Sequence, residues 1–145
     1  MTENTAPDAA SPSDAKADAS TPDDEAVALA HRLFQAARDG DTGLLRGYLD
    51  AGAPGTMTNA AGDSLLMLAA YHGHTETVQL ILEHGGEANT ANDRGQTPLA
   101  GAAFKGFTDV SRVLLEAGAD PDAGSPSARA AAQMFARTDI LDLLG

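Results

Sequence analysis

Small and apolar residues recur from Ala26 onward at a spacing that suits short amphipathic helices, and the clearest copy is NDRGQTPLAGAAFKGFTDVSRVLLEAGAD. Thr97 is a residue type that caps helix N-termini, and Pro98 suits the first helical position because its missing N–H has no partner to lose there. Gly106 follows about two turns later and is a residue that commonly ends a helix. The pattern therefore predicts a first short helix between Thr97 and Gly106.

A second helix is predicted over residues 108–116, because Val110, Val113 and Leu114 lie at helical spacing on one face. Gly118 is expected to stop it. The stretch between this helix and the next helix pair is rich in turn-forming residues, as GGEANTANDRGQ shows one copy earlier. This composition predicts a hairpin-like connection that leads to the next helix pair.

The whole pattern recurs with a period of 33 residues. Each copy has an alanine pair, a glycine after the first helix, a leucine late in the second helix and a glycine after it. These landmarks are Ala36-Ala37, Ala69-Ala70 and Ala102-Ala103; Gly40, Gly73 and Gly106; Leu49, Leu82 and Leu115; and Gly52, Gly85 and Gly118. A unit this short cannot bury its apolar face alone, so the copies must stack and share a core. We expect Leu82 and Leu115 to be buried between repeats.

The copies at the two ends depart from this pattern. The first keeps both helices but lacks the Thr-Pro entry, as expected of a terminal capping repeat. In the last copy Asp139 lies 30 residues after its equivalent, Asp109, so the connection is three residues shorter. Arg129 falls at the position of Leu99, which predicts a C-terminal cap with one solvated flank. The predicted repeats are 28–58, 59–91, 92–123 and 124–145.

The third copy resembles an ankyrin repeat at Gly95-Gln96-Thr97-Pro98-Leu99, Ala102-Ala103, Gly106, Val113-Leu114-Leu115 and Gly118-Ala119-Asp120. The resemblance extends over about residues 28–144, and the pattern is also similar to that of small stand-alone ankyrin repeat proteins of bacteria. It implies an all-α fold, a solenoid of stacked helix-turn-helix units with hairpin-like loops. It also implies a non-enzymatic module that binds a protein partner through a concave groove and the loop tips.

Residues 1–25 have a different composition, made of Ala, Ser, Thr, Pro and acidic residues without Leu, Ile, Val or aromatic side chains. Such a segment cannot bury enough apolar surface to offset the entropy of ordering it. We therefore predict a disordered acidic tail over residues 1–25 and a repeat domain over residues 26–145. Because the chain has neither a signal-like start nor a long apolar run, we expect a cytoplasmic protein. We also expect a monomer.

The charge of the chain limits its partners. The 145 residues include 9 Lys and Arg against 21 Asp and Glu, for a formal net charge of -12. Nucleic acid and anionic membrane are poor partners for such a chain, since their recognition depends on clustered Lys and Arg. A basic protein partner would suit the acidic surface. A stress-protective or toxin-neutralising accessory protein is the alternative function within this class.

No catalytic residue, metal or cofactor is predicted. The chain has no cysteine, and no Gly-rich phosphate loop follows a strand. Ser64, Thr75 and Ser111 have no histidine and acid arranged around them. His72 and His74 lie close together at a turn, which keeps a metal-binding or small-ligand protein as an alternative, although a metal site needs three or four convergent ligands. We expect His74 to form a hydrogen bond within its own turn instead.

The resemblance places partner contacts at the two positions between each alanine pair and the following glycine, and at the loop tips. Tyr71, Phe104 and Met134 take equivalent positions, so they are expected to form a stripe across the concave face, where aromatic and Met residues favour binding. The alternative is that these side chains pack down as groove lining. The predicted partner-binding residues are Arg38, Asp39, Tyr71, His72, Phe104, Lys105, Met134 and Phe135 at the helix ends, and Ala60, Ala61, Asp63, Asp93, Arg94 and Gln96 at the loop tips.

Overall fold

A computed structural model of the chain describes residues 22–145, and the chain divides into two units between Arg32 and Leu33. The described part of the first unit, residues 22–32, is helical throughout. Most of the predicted disordered tail, residues 1–21, lies outside the described residues. The first helix begins at Pro22, four residues before the boundary expected at residue 26.

The residues from 22 to 145 contain eight helices and no strand; their extended segments form only isolated bridges. The helices are α1 (Pro22–Asp39), α2 (Thr42–Asp50), α3 (Leu65–Tyr71), α4 (Thr75–Glu83), α5 (Pro98–Lys105), α6 (Thr108–Glu116), α7 (Ala128–Met134) and α8 (Thr138–Leu144). The all-α prediction is confirmed, and α5 and α6 have the predicted bounds. None of these helices has the length and apolar character needed to cross a membrane.

The first helix of each of the last three repeats begins at a hydroxyl cap. The side-chain oxygens of Ser64, Thr97 and Ser127 each accept a hydrogen bond from the backbone N–H three residues later, at 2.9, 3.1 and 3.1 Å. These bonds satisfy N–H groups that have no partner inside the helix. Ser64 therefore starts α3 as Thr97 starts α5, although the second repeat lacks the Thr-Pro pair.

The helices of the second unit form two layers. In one, α3 contacts α5 and α5 contacts α7. We call these three helices, with residues 33–39 of α1, the first-helix layer. In the other, α2, α4, α6 and α8 contact one another in succession, and we call them the second-helix layer. Within each of the last three repeats the two helices pack together, so the core lies between the layers.

Small residues allow the helices of the first layer to approach closely, while large apolar residues of the second layer fill the space between repeats. Ala69, Ala70, Ala102 and Ala103 are completely buried. The core positions of the second layer are Leu45, Leu49, Val78, Leu80, Ile81, Val110, Leu114 and Ile140, all with less than 5% of their surface exposed. Close packing of this kind is the main source of stability in a chain without cross-links.

The prediction that Leu82 and Leu115 are buried between repeats is wrong, because both are half-buried. Ile81 and Leu114, each one residue earlier, take the core positions and are 0% exposed. Each helical residue is rotated by about 100° from the one before it. A shift of one position within an apolar run therefore changes which side chain faces the core.

Hairpin-like turns connect the repeats, as predicted. The Asn59 N–H donates to the Asp63 carbonyl at 2.9 Å, and the Asn92 N–H donates to the Gln96 carbonyl at 2.9 Å. In both turns the asparagine Oδ1 also accepts two backbone N–H groups at 2.9 to 3.0 Å. Each asparagine thus organises the tip of its own loop, which is the behaviour that favours this residue in turns.

The turn between the two helices of a repeat requires a left-handed backbone. Gly40, Gly73 and Gly106 adopt φ values of 76°, 79° and 82° there. The last repeat has Ala136 in this place with φ 55°, the one non-glycine residue with positive φ in residues 22–145. A Cβ atom makes this conformation unfavourable, so the last repeat is strained at this residue.

A side chain from the following repeat packs against each of these three glycines. The pairs are His74 on Gly40, Phe107 on Gly73 and Arg137 on Gly106, and a Cβ atom built on the glycine would lie 2.5, 2.9 and 3.1 Å from these side chains respectively. The turn glycines are therefore required both for their backbone conformation and for the space that the next repeat occupies.

His74 bonds to the preceding repeat, so the prediction of a hydrogen bond within its own turn is wrong. Its Nε2 donates to the Arg38 carbonyl at 2.7 Å. In the last repeat Arg137 Nη2 donates to the equivalent carbonyl, that of Phe104, at 2.9 Å. Both bonds satisfy a carbonyl at the end of a helix, where no intrahelical donor is available.

Candidate protein-binding groove

A cleft of about 330 Å³ lies along the first-helix layer, bounded by α3, α5 and α7. Its floor is made of buried small residues, among them Ala100, Gly101 and Ala131. Larger side chains from three successive repeats surround this floor: Tyr71, Phe104, Met134 and Phe135. We call this cleft the groove. Concave, mostly apolar surfaces of this kind are suited to holding a ligand or a partner's side chain.

The structure brings Tyr71, Phe104 and Met134, the predicted stripe, to the groove. Met134 is 69% exposed, Phe104 40% and its neighbour Phe135 43%. The Phe104 and Phe135 rings meet edge to face with their centroids 4.9 Å apart. Three large apolar side chains are thus exposed together, and contiguous exposed apolar side chains are typical of interaction surfaces.

Tyr71 is different from the other stripe residues because it is half-buried. Its ring lies against Gly101, where a Cβ atom would be 3.1 Å from Tyr71 Cδ1. Lys105 Nζ lies 4.6 Å from the centroid of the same ring, and the His72 ring meets it edge to face at 5.5 Å. Tyr71 therefore packs as groove lining, whereas Phe104 and Met134 project from the surface.

The charged residues at the helix ends lie close enough to one another to interact. The pKa of His72 is lowered from its ordinary value, first by burial and then by the positive charges of Lys105, His74 and Arg38, while Asp39 acts in the opposite direction. Asp39 is exposed and accepts a hydrogen bond from Gln35 Nε2 at 3.0 Å. These helix ends form a charged border beside the groove.

The two neighbouring histidines have no third metal-ligating side chain grouped with them among residues 22–145. The His72 and His74 rings are stacked with centroids 6.5 Å apart, and His74 Nε2 already donates to the Arg38 carbonyl. No group of three or more His, Asp or Glu side chains able to hold a metal ion occurs in the part of the chain that the structure describes. The geometry gives the alternative of a metal-binding protein no support.

The predicted loop-tip residues divide into two groups. Ala60, Ala61, Asp93 and Arg94 are exposed. The other two, Asp63 and Gln96, are half-buried, and their side-chain oxygens each accept a hydrogen bond from Asn92 Nδ2 at 2.8 Å. The backbone also links adjacent tips, since the Asp93 N–H donates to the Ala61 carbonyl at 3.1 Å. The tips are therefore a connected row rather than separate loops.

Sequence reasoning missed Asn59, Asn92 and Gly101, although each leaves a signal. The two asparagines lie 33 residues apart, and each precedes a turn glycine by three residues. Gly101 is a glycine inside a predicted helix, which costs about 1 kcal/mol relative to alanine and therefore indicates a packing reason. That reason is the close approach of Tyr71 and Met67, which a Cβ atom at position 101 would crowd.

Comparisons with known proteins agree with this architecture. Residues 33–125 match the family described as ankyrin repeats (3 copies), which is more than half of the chain. A stretch of 50 residues is 46% identical to a protein of Pseudomonas aeruginosa that is provisionally named as an ankyrin repeat protein. That stretch spans 34% of this chain and 29% of the Pseudomonas protein. The chain belongs to the ankyrin repeat family, whose repeats are in general protein–protein interaction modules.

Proposed function

We propose that the chain is a non-enzymatic module that binds a cytoplasmic protein through the groove and the adjoining loop tips. The observation that carries this proposal is the exposure of Phe104, Met134 and Phe135 around a floor of buried small residues. Aromatic and Met side chains are enriched at the centres of protein interfaces, where they supply large apolar area.

The exposed rings are available for binding because folding does not depend on burying them. We expect Phe104→Ala to weaken partner binding by about 2 kcal/mol or more, as truncation of a central interface residue does. The same change should cost about 1 kcal/mol or less in the free energy of unfolding, since the side chain is 40% exposed. Urea melts of the variant measure the second quantity.

Photo-crosslinking tests where the partner binds. A benzophenone amino acid is placed at Phe104, and a matched variant carries it at Gln79, an exposed residue of the second-helix layer. Crosslinking in the producing cell should give protein adducts at position 104 that are absent at position 79 and reduced by Met134→Ala. Identical adduct patterns at both positions would rule out the groove. Adducts at Arg94 but not at Phe104 would move the interface to the loop tips.

A further inference from the structure

Charge is divided between the two helix layers. The first-helix layer carries three basic residues, Arg38, Lys105 and Arg129, against one acidic residue, Asp39. The second-helix layer carries two basic residues against seven acidic ones: Arg46 and Arg112 against Asp50, Glu76, Glu83, Asp109, Glu116, Asp139 and Asp142. The groove thus lies on the layer with the basic excess, although the whole chain is strongly acidic.

Neither Arg38 nor Lys105 forms an ion pair with a carboxylate within residues 22–145. Arg129 and Arg112, by contrast, form ion pairs with acidic neighbours at 2.8 and 2.9 Å. The Lys105 ammonium lies over the Tyr71 ring, next to the apolar wall of the groove. A positive charge is therefore placed at the edge of an exposed apolar surface.

Two carboxylates on this side of the molecule accept hydrogen bonds from side-chain amides, while a third, Asp93, is exposed at a loop tip. Asp39 accepts from Gln35, and Asp63 accepts from Asn92 at 2.8 Å. The pKa of His72 also reflects the local charge. Burial lowers it most, the positive charges of Lys105, His74 and Arg38 lower it further, and the negative charge of Asp39 raises it by less. The border of the groove is thus a place where added negative charge is favoured and added positive charge is not.

We propose, on the basis of the function proposed above, that the groove takes a segment of the partner that combines a large apolar side chain with acidic residues. The apolar side chain lies between Phe104 and Met134, and the carboxylates face Lys105 and Arg38. A basic segment would bring like charges together at this border, which costs affinity. The acidic residues elsewhere on the chain have little effect at this border, since exposed charges more than about 10 Å apart are largely screened at 0.1 M salt.

A phage-displayed library of random 12-residue peptides tests this proposal on the full chain, with Phe104→Ala as the counter-selection. Peptides that need Phe104 should contain one large apolar residue together with Asp or Glu. Peptides that need Phe104 but carry Lys and Arg, or no charge, would overturn the acidic preference and leave the groove as the binding site. If no peptide depends on Phe104, the function proposed for the groove fails.

Matched charge variants sharpen the result. With the best selected peptide, Lys105→Ala and Arg38→Ala should each weaken binding about three- to fivefold in calorimetric titrations, as expected for an exposed charge pair. Arg46→Ala removes the same charge from an exposed residue of α2 and should leave the affinity unchanged. Equal effects at Arg46 and at the two groove residues would overturn the proposal.

A spectroscopic measurement separates direct contact from a general charge effect. A carboxylate bound beside Lys105 and Arg38 should raise the pKa of His72, and proton NMR of the imidazole ring measures this with and without the peptide. The peptide with its Asp and Glu replaced by Asn and Gln serves as the control. An unchanged pKa of His72 with the acidic peptide would contradict the proposed placement of the carboxylates.

Discussion

The two helix layers use large side chains in different ways. Helices of the second-helix layer bury most of them, as Ile81 and Leu114 do, with Leu44 as the exposed exception, and they carry seven acidic residues. Helix α5 of the first-helix layer buries Leu99 near its start, has small residues in its middle and exposes Phe104 near its end. Core packing and the exposed apolar surface proposed for recognition are therefore supplied by different parts of the same repeat, so we expect that they can be altered separately.

The largest expected effect is the loss of a core side chain from the second-helix layer. Leu114→Ala should lower the free energy of unfolding by about 2 to 5 kcal/mol, because it removes a fully buried side chain and leaves a cavity. Leu115→Ala is the matched change at a half-buried neighbour and should cost clearly less. Urea melts of the two variants check this, and equal losses would mean that the assignment of the core positions is incorrect.

A helix-interior glycine from each layer allows the next comparison. A Cβ atom at Gly101 would lie 3.1 Å from Tyr71 and 3.3 Å from Met67, whereas nothing lies within 4 Å at Gly47. Gly101→Leu should therefore destabilise by about 1 to 3 kcal/mol through overpacking. Gly47→Leu should stabilise by about 0.5 to 1 kcal/mol through helix propensity.

Thermal and urea melts measure both glycine variants. In a Tyr48→Phe background the fluorescence of Tyr71 provides a local readout, because its ring must move when position 101 carries a side chain. A Gly101→Leu variant as stable as the parent would show that the groove floor yields, and the groove would then be a plastic surface rather than a fixed one.

In the turn that joins the two layers we expect a stabilising change that is smaller than the loss in Gly101→Leu. Ala136→Gly should stabilise the chain by about 0.5 to 1 kcal/mol, because it relieves the left-handed strain at φ 55° while adding some unfolded-state entropy. Gly106→Ala is the reverse change at the equivalent turn and should destabilise. A loss of stability in Ala136→Gly would mean that the alanine methyl group contributes more packing than its strain costs.

The smallest expected effect is a pH dependence of stability, which arises from the contact between Asp50 at the end of α2 and His84 at the end of α4. His84 Nδ1 lies 3.0 Å from the Leu80 carbonyl and Nε2 lies 2.8 Å from Asp50 Oδ1. Only the protonated ring can donate to both acceptors, so the pKa of His84 is raised. The hydrogen bond to the Leu80 carbonyl has the larger effect and the hydrogen bond to Asp50 the smaller one. Because the raised pKa belongs to the folded state, this stabilisation is present at low pH and is lost as the pH rises through that pKa.

Asp50→Asn tests the sign of this effect. The variant should have a lower pKa at His84 by NMR titration, and its loss of stability relative to the parent should be larger near about pH 5.5 than near about pH 8.5, on either side of the ordinary histidine range. A difference between parent and variant that grows with pH would contradict the pairing.

Local signals allowed the helices to be predicted, whereas contacts between repeats were not accessible from the sequence. Thr97, Pro98 and Gly106 specify the bounds of α5 through capping and backbone conformation, which act over a few residues. The acceptor of His74 lies 36 residues away, at Arg38, and no local pattern encodes it. The choice between Leu114 and Leu115 in the core likewise depends on the angle at which the next repeat packs.

The stripe of equivalent positions was predicted from the repeat period. The difference between the half-buried Tyr71 and the exposed Phe104 and Met134 was not. Tyr71 and Phe104 have equivalent positions in the repeat, and they differ because Gly101 in the following repeat leaves room for the Tyr71 ring. The charge division between layers follows directly from the sequence once the helix pairs are known. The net charge of the whole chain does not reveal this distribution, because the acidic excess of the second-helix layer outweighs the basic excess of the first.

The hydrogen bond from His74 to the Arg38 carbonyl has a consequence for how the repeats could be rearranged. The donor belongs to the later repeat and the acceptor to the earlier one, so the junction has a direction. If the second and third repeats exchanged places, Phe107 would meet Gly40, and the Arg38 carbonyl would face a side chain with no hydrogen to donate. The units are therefore not interchangeable modules, and their order along the chain is fixed by the chemistry of their junctions as well as by their shape.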